Sequence, residues 1–372
     1  MRFYVDDFCE KHGIPDPCLL NIATYQEACL IFAMYAVYLA LGHTLHCKTI
    51  KSGTITNYLR AAASHVTQAR RRMPNPSNKL QWQDPRIDMT TGKIDKQITA
   101  VVDEVKRWES MPERREPLTV DMILYQKLQC RADAPHSEDA VMYDWEVFGI
   151  YAGNRLTEWA QKDGTDIVLN IDELPKAFLI RDVTFFGENR RRMSRPYALK
   201  HPRRVHTADV TWRYQKNGVN GEVKTFVRDF GHADLCAVSA LLRIAQRWVD
   251  LKLPDDHPLA VYTTDGTVSG EIKCIRESNI NTALQKAARI VYNITKREEL
   301  SRFTSHSIRV GACVALHAAN ISALDIQHAL RWKSNSFLTY LRNLPCQAQR
   351  TARAVVNFNP QRLNVTPGAA AA

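Results

Sequence analysis

The chain has 372 residues, 45% hydrophobic and 24% charged, a balance that fits folded domains and excludes a disordered or fibrous polymer. Its length allows two domains, each able to bury a core of its own. Lys and Arg outnumber Asp and Glu by 50 to 39, a net charge of +11, which favours a polyanion as partner: nucleic acid or an acidic membrane face.

The N-terminus has no secretory pattern, and the 9 cysteines are scattered without a C-x-x-C pair, which reads as reduced thiols in an intracellular protein. Residues 28–41 form the longest apolar run. They are too few to span a bilayer and lack basic flanks, so they read as part of a buried helix over Ile22–Leu41 that stops at Gly42. Ser52 is positioned to cap a second helix, Thr54–Arg72, with Ile55, Tyr58, Leu59, Ala62 and Val66 at helical spacing. Ile98, Val101, Val102, Val105 and Trp108 make the apolar stripe of a third. The charged, proline-bounded stretch Met111–Pro117 reads as a linker. Basic side chains at Lys51, Arg60, Arg70, Arg71 and Arg72 in this half are candidate nucleic-acid contacts, as are Arg190, Arg191 and Arg192 further on.

Beyond the linker, Val120–Cys130 and Asp139–Tyr151 read as helices, and residues 167–184 are ambiguous. Asp209–Gln215 alternates strictly and Glu222–Val227 answers it across a turn-rich segment, which predicts a hairpin. From Leu235 onward the pattern is mostly helical.

Six residues carry chemistry. Arg155, in Gly153-Asn154-Arg155-Leu156-Thr157-Glu158, falls at a helix start that favours anions, with Glu158 three residues on to hold the guanidinium. His306 and Arg309 share the first turn of a predicted helix, Ser307–Ala319, as a cationic pair, with Thr304 and Ser305 as caps. Trp332 lies 23 residues after Arg309, beyond a helix opened by the capping-box residues Ser322 and Asp325; its indole N–H can donate to a phosphate oxygen. Tyr340, 8 residues later in a short amphipathic helix over Ser336–Asn343, is a phenol that a cationic pocket could turn into a nucleophile. Lys216, at the predicted hairpin tip, is the choice for general acid, with Lys200 and Lys224 as rivals. Taken singly, each has a plainer reading: a surface ion pair, a charged helix start, a core indole, a packed phenol, a solvated turn lysine. Their order and spacing together are what single them out.

That order resembles the tyrosine recombinases, the phage-integrase family of DNA breaking and joining enzymes, over roughly residues 115–350. The segment Arg213–Glu222 also looks like the hairpin of recombinases from eukaryotic mobile elements such as cryptons. Two spacings depart from the family: Trp332 to Tyr340 is one residue shorter than in many members, and Arg155 to Lys216 is longer than in compact bacterial ones. The resemblance implies a mainly α fold with a small β-sheet or hairpin. A helical core-binding domain that clamps DNA would span residues 1–112 and an α+β catalytic domain 113–345. Residues 346–372 would be a tail that packs on a neighbouring subunit or is disordered. It implies a site-specific recombinase or integrase that cuts and rejoins double-stranded DNA through a 3′-phosphotyrosyl intermediate, with Tyr340 as nucleophile. It also implies no metal, ATP or other cofactor, no small-molecule substrate, no membrane partner, and a homotetramer on paired sites. In a eukaryotic source the protein would be nuclear. Two alternatives stand beside it: a type IB topoisomerase-like or resolvase enzyme with the same chemistry, and a DNA-binding protein derived from a mobile element that no longer cuts.

Overall fold

The structure, a computed structural model, describes residues 3–22, 24–44, 49–72, 84–109, 114–165, 167, 169, 173–215 and 218–341. The chain divides into two compact units, Met1–Pro112 and Glu113–Ala372.

The first unit is helical. A π-helical turn, Phe3–Cys9, precedes α1 (Tyr25–Ala40) and α2 (Ser52–Arg71). A two-residue antiparallel pair, β1 (Ile87–Asp88) and β2 (Lys93–Ile94), then leads into α3 (Lys96–Trp108). α1 starts later than the apolar pattern suggests, because the Thr24 hydroxyl accepts from the Glu27 N–H and sets the first turn there. Ser52 is the first helical residue of α2 and not its cap; Lys51 holds that position. Tyr4, Phe8, Phe32, Tyr35, Leu39, Leu59, Val66 and Ile98 interdigitate as the core. The α3 stripe holds at Ile98, Val101, Val102 and Val105. It fails at Trp108, which is 83% exposed with its indole N–H 2.7 Å from a Glu104 oxygen one turn back.

The second unit takes in part of the stretch read as a linker. The Glu116 N–H donates to Arg302 O (3.2 Å) and the Leu118 N–H to Ser307 O (2.9 Å), so these residues are fixed to the unit they were expected to lead into. Residues 110–113 lie outside the described residues. α4 (Val120–Gln129) and α5 (Glu138–Ala152) follow, then the single turn α6 (Leu156–Trp159). Every residue of α5 from Ala140 to Gly149 is buried, as expected of a helix surrounded on all sides. Gly149 permits its close crossing with a later helix: a Cβ there would lie 2.5 Å from Ile308 Cγ2.

β3 (Val183–Phe186), β4 (Arg192–Met193), α7 (Arg195–Lys200), β5 (Thr207–Trp212) and β6 (Glu222–Val227) come next. The strands form one antiparallel sheet in the order β4-β3-β5-β6. The expected hairpin is present, in register from Thr207 opposite Val227 to Trp212 opposite Glu222. Its first strand stops three residues short of Gln215, because the Gly221 N–H closes on Trp212 O at 2.8 Å and the Gln215 amide turns back to Val219 O and Glu222. Beneath the sheet Trp145 stacks on Trp159 at 5.1 Å and Phe178 meets Trp212 edge-on at 5.3 Å.

α8 (Ala237–Asp250) packs on α5. A short hairpin, β7 (Val261–Thr263) with β8 (Ile272–Cys274), interrupts the helical run expected after Leu235. α9 (Glu277–Val291), α10 (Arg297–Leu300), α11 (His306–Ala318), α12 (Ala323–Ala329) and a 3₁₀ turn, Asn335–Thr339, complete the described chain. Among the described residues the fold is mainly α, as expected, with a four-stranded sheet and two two-stranded ones. The predicted tail, 346–372, lies outside the described residues. No helix among them is long and apolar enough to cross a membrane.

Candidate active site

Gly153 ends α5 in the left-handed region (φ 58°), where a Cβ would also press on Leu330 Cδ2 at 2.8 Å. The chain reverses and Arg155 becomes the N-cap of α6. Glu158, 3% exposed, holds the Arg155 guanidinium as expected, its Oε1 accepting from Nη1 (2.9 Å), and its Oε2 also accepts from the Arg155 backbone N–H (3.0 Å). The same Oε2 accepts from Trp212 Nε1 (3.2 Å) and from Arg331 Nη2 (2.9 Å). One carboxylate therefore fixes two arginines and an indole.

α11 opens at His306, one residue before the predicted start, and brings His306 and Arg309 to its first turn. Ser305 occupies the N-cap without a side-chain bond to the helix, its hydroxyl donating to Glu277 Oε1 (3.1 Å), while the Ser307 hydroxyl accepts from the Thr304 N–H at 3.0 Å. Arg309, 2% exposed, donates through Nη1 to Gly153 O and through Nη2 to Leu330 O (2.8 Å); its guanidinium carbon lies 4.2 Å over the Trp332 ring. Burial, with Arg155 nearby, lowers its pKa to about 9, which still leaves a full charge at neutral pH. His306 differs from expectation. Burial first, then the charges of Arg309, Arg115 and Arg155, hold its pKa below the usual histidine value, so at neutral pH it is a neutral ring and not half of a cationic pair. Its Nε2 lies 2.7 Å from the Tyr340 hydroxyl.

Trp332 follows α12, whose capping residue Ser322 accepts from the Asp325 N–H at 3.1 Å as predicted. The helix closes with the Trp332 N–H on Gln327 O (2.8 Å) and the Arg331 N–H on His328 O (3.1 Å), with Arg331 at φ 57° in the position that usually takes glycine. A left-handed backbone costs an ordinary residue roughly 1–2 kcal/mol. Trp332 Nε1 is buried and has no hydrogen-bond partner among the described residues, a donor left unspent. Tyr340 does not sit inside an α-helix over 336–343. A 3₁₀ turn opened by Ser334 ends at Thr339 and Tyr340 caps it, while residues 342 and 343 lie outside the described residues. Its ring centroid is 5.5 Å from His306 and 5.7 Å from Trp332, and burial raises the phenol's pKa. The structure thus gathers Arg155 and Glu158 with Arg309, and His306, Trp332 and Tyr340 around the same guanidinium.

Lys216 lies outside the described residues. Lys200 is exposed at the end of α7. Lys224, on β6, donates to Tyr151 O (2.8 Å) and Ala329 O (3.1 Å), tying the end of α5 to the end of α12. Burial and the charge of Arg331 bring it down to about 8. Strand alternation held the signal for it: Lys224 shares a face with Phe226, the buried residue of its strand.

Of the other predicted basic contacts, Lys51, Arg60, Arg71 and Arg72 are exposed on α2 or at its ends. Arg70 is partly buried and bonds the carbonyls of Leu19 and Ile22, with burial lowering its pKa to about 10. Arg190 grips Asp209 with both Nη atoms (2.9 and 2.8 Å) and lies 4.1 Å over Phe186. Arg191 and Arg192 instead line a cleft of about 880 Å³ together with Tyr197, Arg203, Arg204 and His206.

No family model matches this chain, and no curated protein does. Among solved structures it is similar to the integrase of transposon Tn1549 in complex with transposon right-end DNA: 11% identity, TM-score 0.42, covering 91% of this chain and 86% of that one. It is also similar to the XerH site-specific recombinase bound to its difH substrate. The pre-cleavage complex gives 11% identity, TM-score 0.44 and coverage of 94% of this chain and 76% of that one. The post-cleavage complex gives 12% identity, TM-score 0.45 and coverage of 91% and 74%.

Proposed function

We propose that this chain is a tyrosine recombinase that cuts and rejoins double-stranded DNA through a 3′-phosphotyrosyl intermediate. The observation that carries this reading is the Tyr340 hydroxyl held 2.7 Å from the neutral ring of His306, beside a buried arginine that bonds only carbonyl oxygens among the described residues. A phenol with a raised pKa is a poor nucleophile in the apo site. It improves when a phosphate brings the reacting phosphorus close and a base takes its proton. His306 Nε2 is within reach to do so.

In this reading Arg155 and Arg309 bind the non-bridging oxygens, where negative charge grows in the transition state, and the unspent N–H of Trp332 donates to one of them. The Tyr340 oxygen bonds to phosphorus as its proton passes to His306. The bond from phosphorus to the 5′ oxygen breaks, and that oxygen takes a proton from a lysine ammonium. Lys224, at about 8, is acidic enough to give it and is our choice over Lys216. The hydroxyl of another strand reverses the sequence. Each step exchanges one phosphodiester for another, so the chemistry calls for neither ATP nor a metal.

Finer assignments belong to the same proposal. The cleft around Arg191 and Arg203 and the exposed arginines of α2 contact DNA phosphates. The unit over residues 1–112 serves as a clamp, and the protein works as a homotetramer on paired sites. A mobile element of crypton-like type is the proposed source, with residence in the nucleus.

The test is a nicked duplex carrying the cognate site, incubated in EDTA and resolved on a denaturing gel. Wild type forms a protein–DNA adduct; Tyr340→Phe binds the duplex and forms none. An adduct that survives the change removes Tyr340 as nucleophile. Supercoil relaxation by a monomer without strand exchange would move the assignment to a topoisomerase-like enzyme.

A further inference from the structure

We propose that Arg331 is a positioning residue of this site, holding Arg155 and Trp332 in register through the Glu158 carboxylate. The proposal rests on the reading of Tyr340 as nucleophile. The side chain of Arg331 is 1% exposed. Its Nη1 donates to Ala152 O (2.9 Å) and its Nη2 to Glu158 Oε2 (2.9 Å), while its guanidinium carbon lies 3.9 Å over the Trp212 ring. These are the residues that set Arg155: Ala152 ends α5 just before the reversal, and Glu158 holds the Arg155 guanidinium and backbone N–H. At the other end of the same residue, the backbone makes the left-handed turn that delivers Trp332.

Neither feature is what a purely structural position would select. Glycine would make the turn without strain, and an apolar side chain would fill the space without burying a charge. A lysine would not reproduce the contact, because its single ammonium nitrogen lacks the planar fork whose two Nη atoms reach Ala152 O and Glu158 Oε2 separately. Both unfavourable features occur at the residue preceding the indole. Arg331 also adds positive charge beside Arg309 and Lys224, lowering both. The charged groups acting on Lys224 are Arg331 and Glu222.

The experiment compares wild type, Arg331→Gly and Arg331→Lys in three measurements: thermal melting, binding of the nicked duplex, and the rate of adduct formation. A fourth uses DNA-free protein, following the pH dependence of Lys224 acetylation by peptide mass spectrometry. At metal sites, loss of a residue that orients a ligating side chain typically costs about 10- to 100-fold, and the same scale is taken for Arg331. Arg331→Gly is expected to fold, to bind DNA within about threefold of wild type, and to form adduct about 10- to 100-fold more slowly. Arg331→Lys is not expected to restore the rate, and the acetylation midpoint of Lys224 should rise in the glycine variant. Wild-type cleavage by Arg331→Gly overturns the proposal, and so does a loss of cleavage matched by an equal loss of DNA binding. If wild type itself yields no adduct, the nucleophile reading fails separately. The Lys224 midpoint then decides for Arg331: a rise upholds its influence on the site, and an unchanged midpoint ends it.

Discussion

Two acid–arginine clusters border α5, and they are built to opposite ends. In the first, Asp144, 1% exposed, accepts from Arg243 Nε at 2.5 Å and from Arg247 Nη2 at 2.8 Å. Asp234 and Asp250 line the same region with Lys127 and Arg131, which pair with Asp234 and Asp133. Burial works against the charge on Arg243, yet Asp144 outweighs it and raises the guanidinium's pKa. In the second, Glu158 and Glu222 face Arg155, Arg309, Arg331 and Lys224, and Arg309, Arg331 and Lys224 are all lowered, by burial first. Each cation of the first cluster has a carboxylate partner, although Arg243 Nη2 and Arg247 Nε and Nη1 have no hydrogen-bond partner among the described residues. The second carries more cations than acids in a buried setting, a surplus that suits the anion of the proposed reaction.

That contrast can be broken by experiment. Asp144→Ala should cost the most stability, about 3–5 kcal/mol, because it strands the buried Arg247 guanidinium and removes the partner of the half-buried Arg243. Denaturant unfolding would register it, while cleavage per folded molecule should not change. A drop in the rate of the folded fraction would make the first cluster part of the site. Arg309→Ala should do the reverse in kind, slowing adduct formation by about 10²–10³-fold, the usual loss for one donor to a developing charge. A rate within threefold of wild type would remove Arg309 from the chemistry.

The pH profile is a milder probe. His306 must be neutral to accept a proton, and its pKa lies below the usual value, so activity should rise as pH climbs through that lowered pKa and be full by neutral pH. Lys224 must be protonated to donate, so activity should fall as pH rises through about 8. An alkaline limb that persists unchanged in Lys224→Met would exclude this lysine as the acid. The smallest effect belongs to the cleft: Arg191→Gln and Arg203→Gln should each reduce the slope of log affinity against log salt by about 1. Unchanged slopes would place the DNA elsewhere.

The chain announced much of this. α11, the Ser322 cap of α12, the β5–β6 hairpin and the Arg155–Glu158 pair follow from local rules of spacing and capping that tertiary packing left intact. What was hidden depends on contacts far apart in sequence. The neutral state of His306 comes from burial and from arginines at 115, 155 and 309, none of which its own helix turn reveals except the last. Lys224 looks like any strand lysine until Tyr151 and Ala329 bring their carbonyls to it. Arg331 carries no local signal, because nothing in its spacing says that its side chain is buried against Glu158 and Trp212. Trp108 was misread in the other direction: its spacing matched a stripe, but the helix ends there and the indole turns to Glu104.

The most direct measurement digests the trapped protein–DNA adduct with nuclease and protease and sequences the modified peptide by mass spectrometry. The expected result is a nucleotide joined through its 3′ phosphate to Tyr340 and to no other residue. A nucleotide attached to a different side chain, or joined through a 5′ phosphate, would contradict the mechanism at its root.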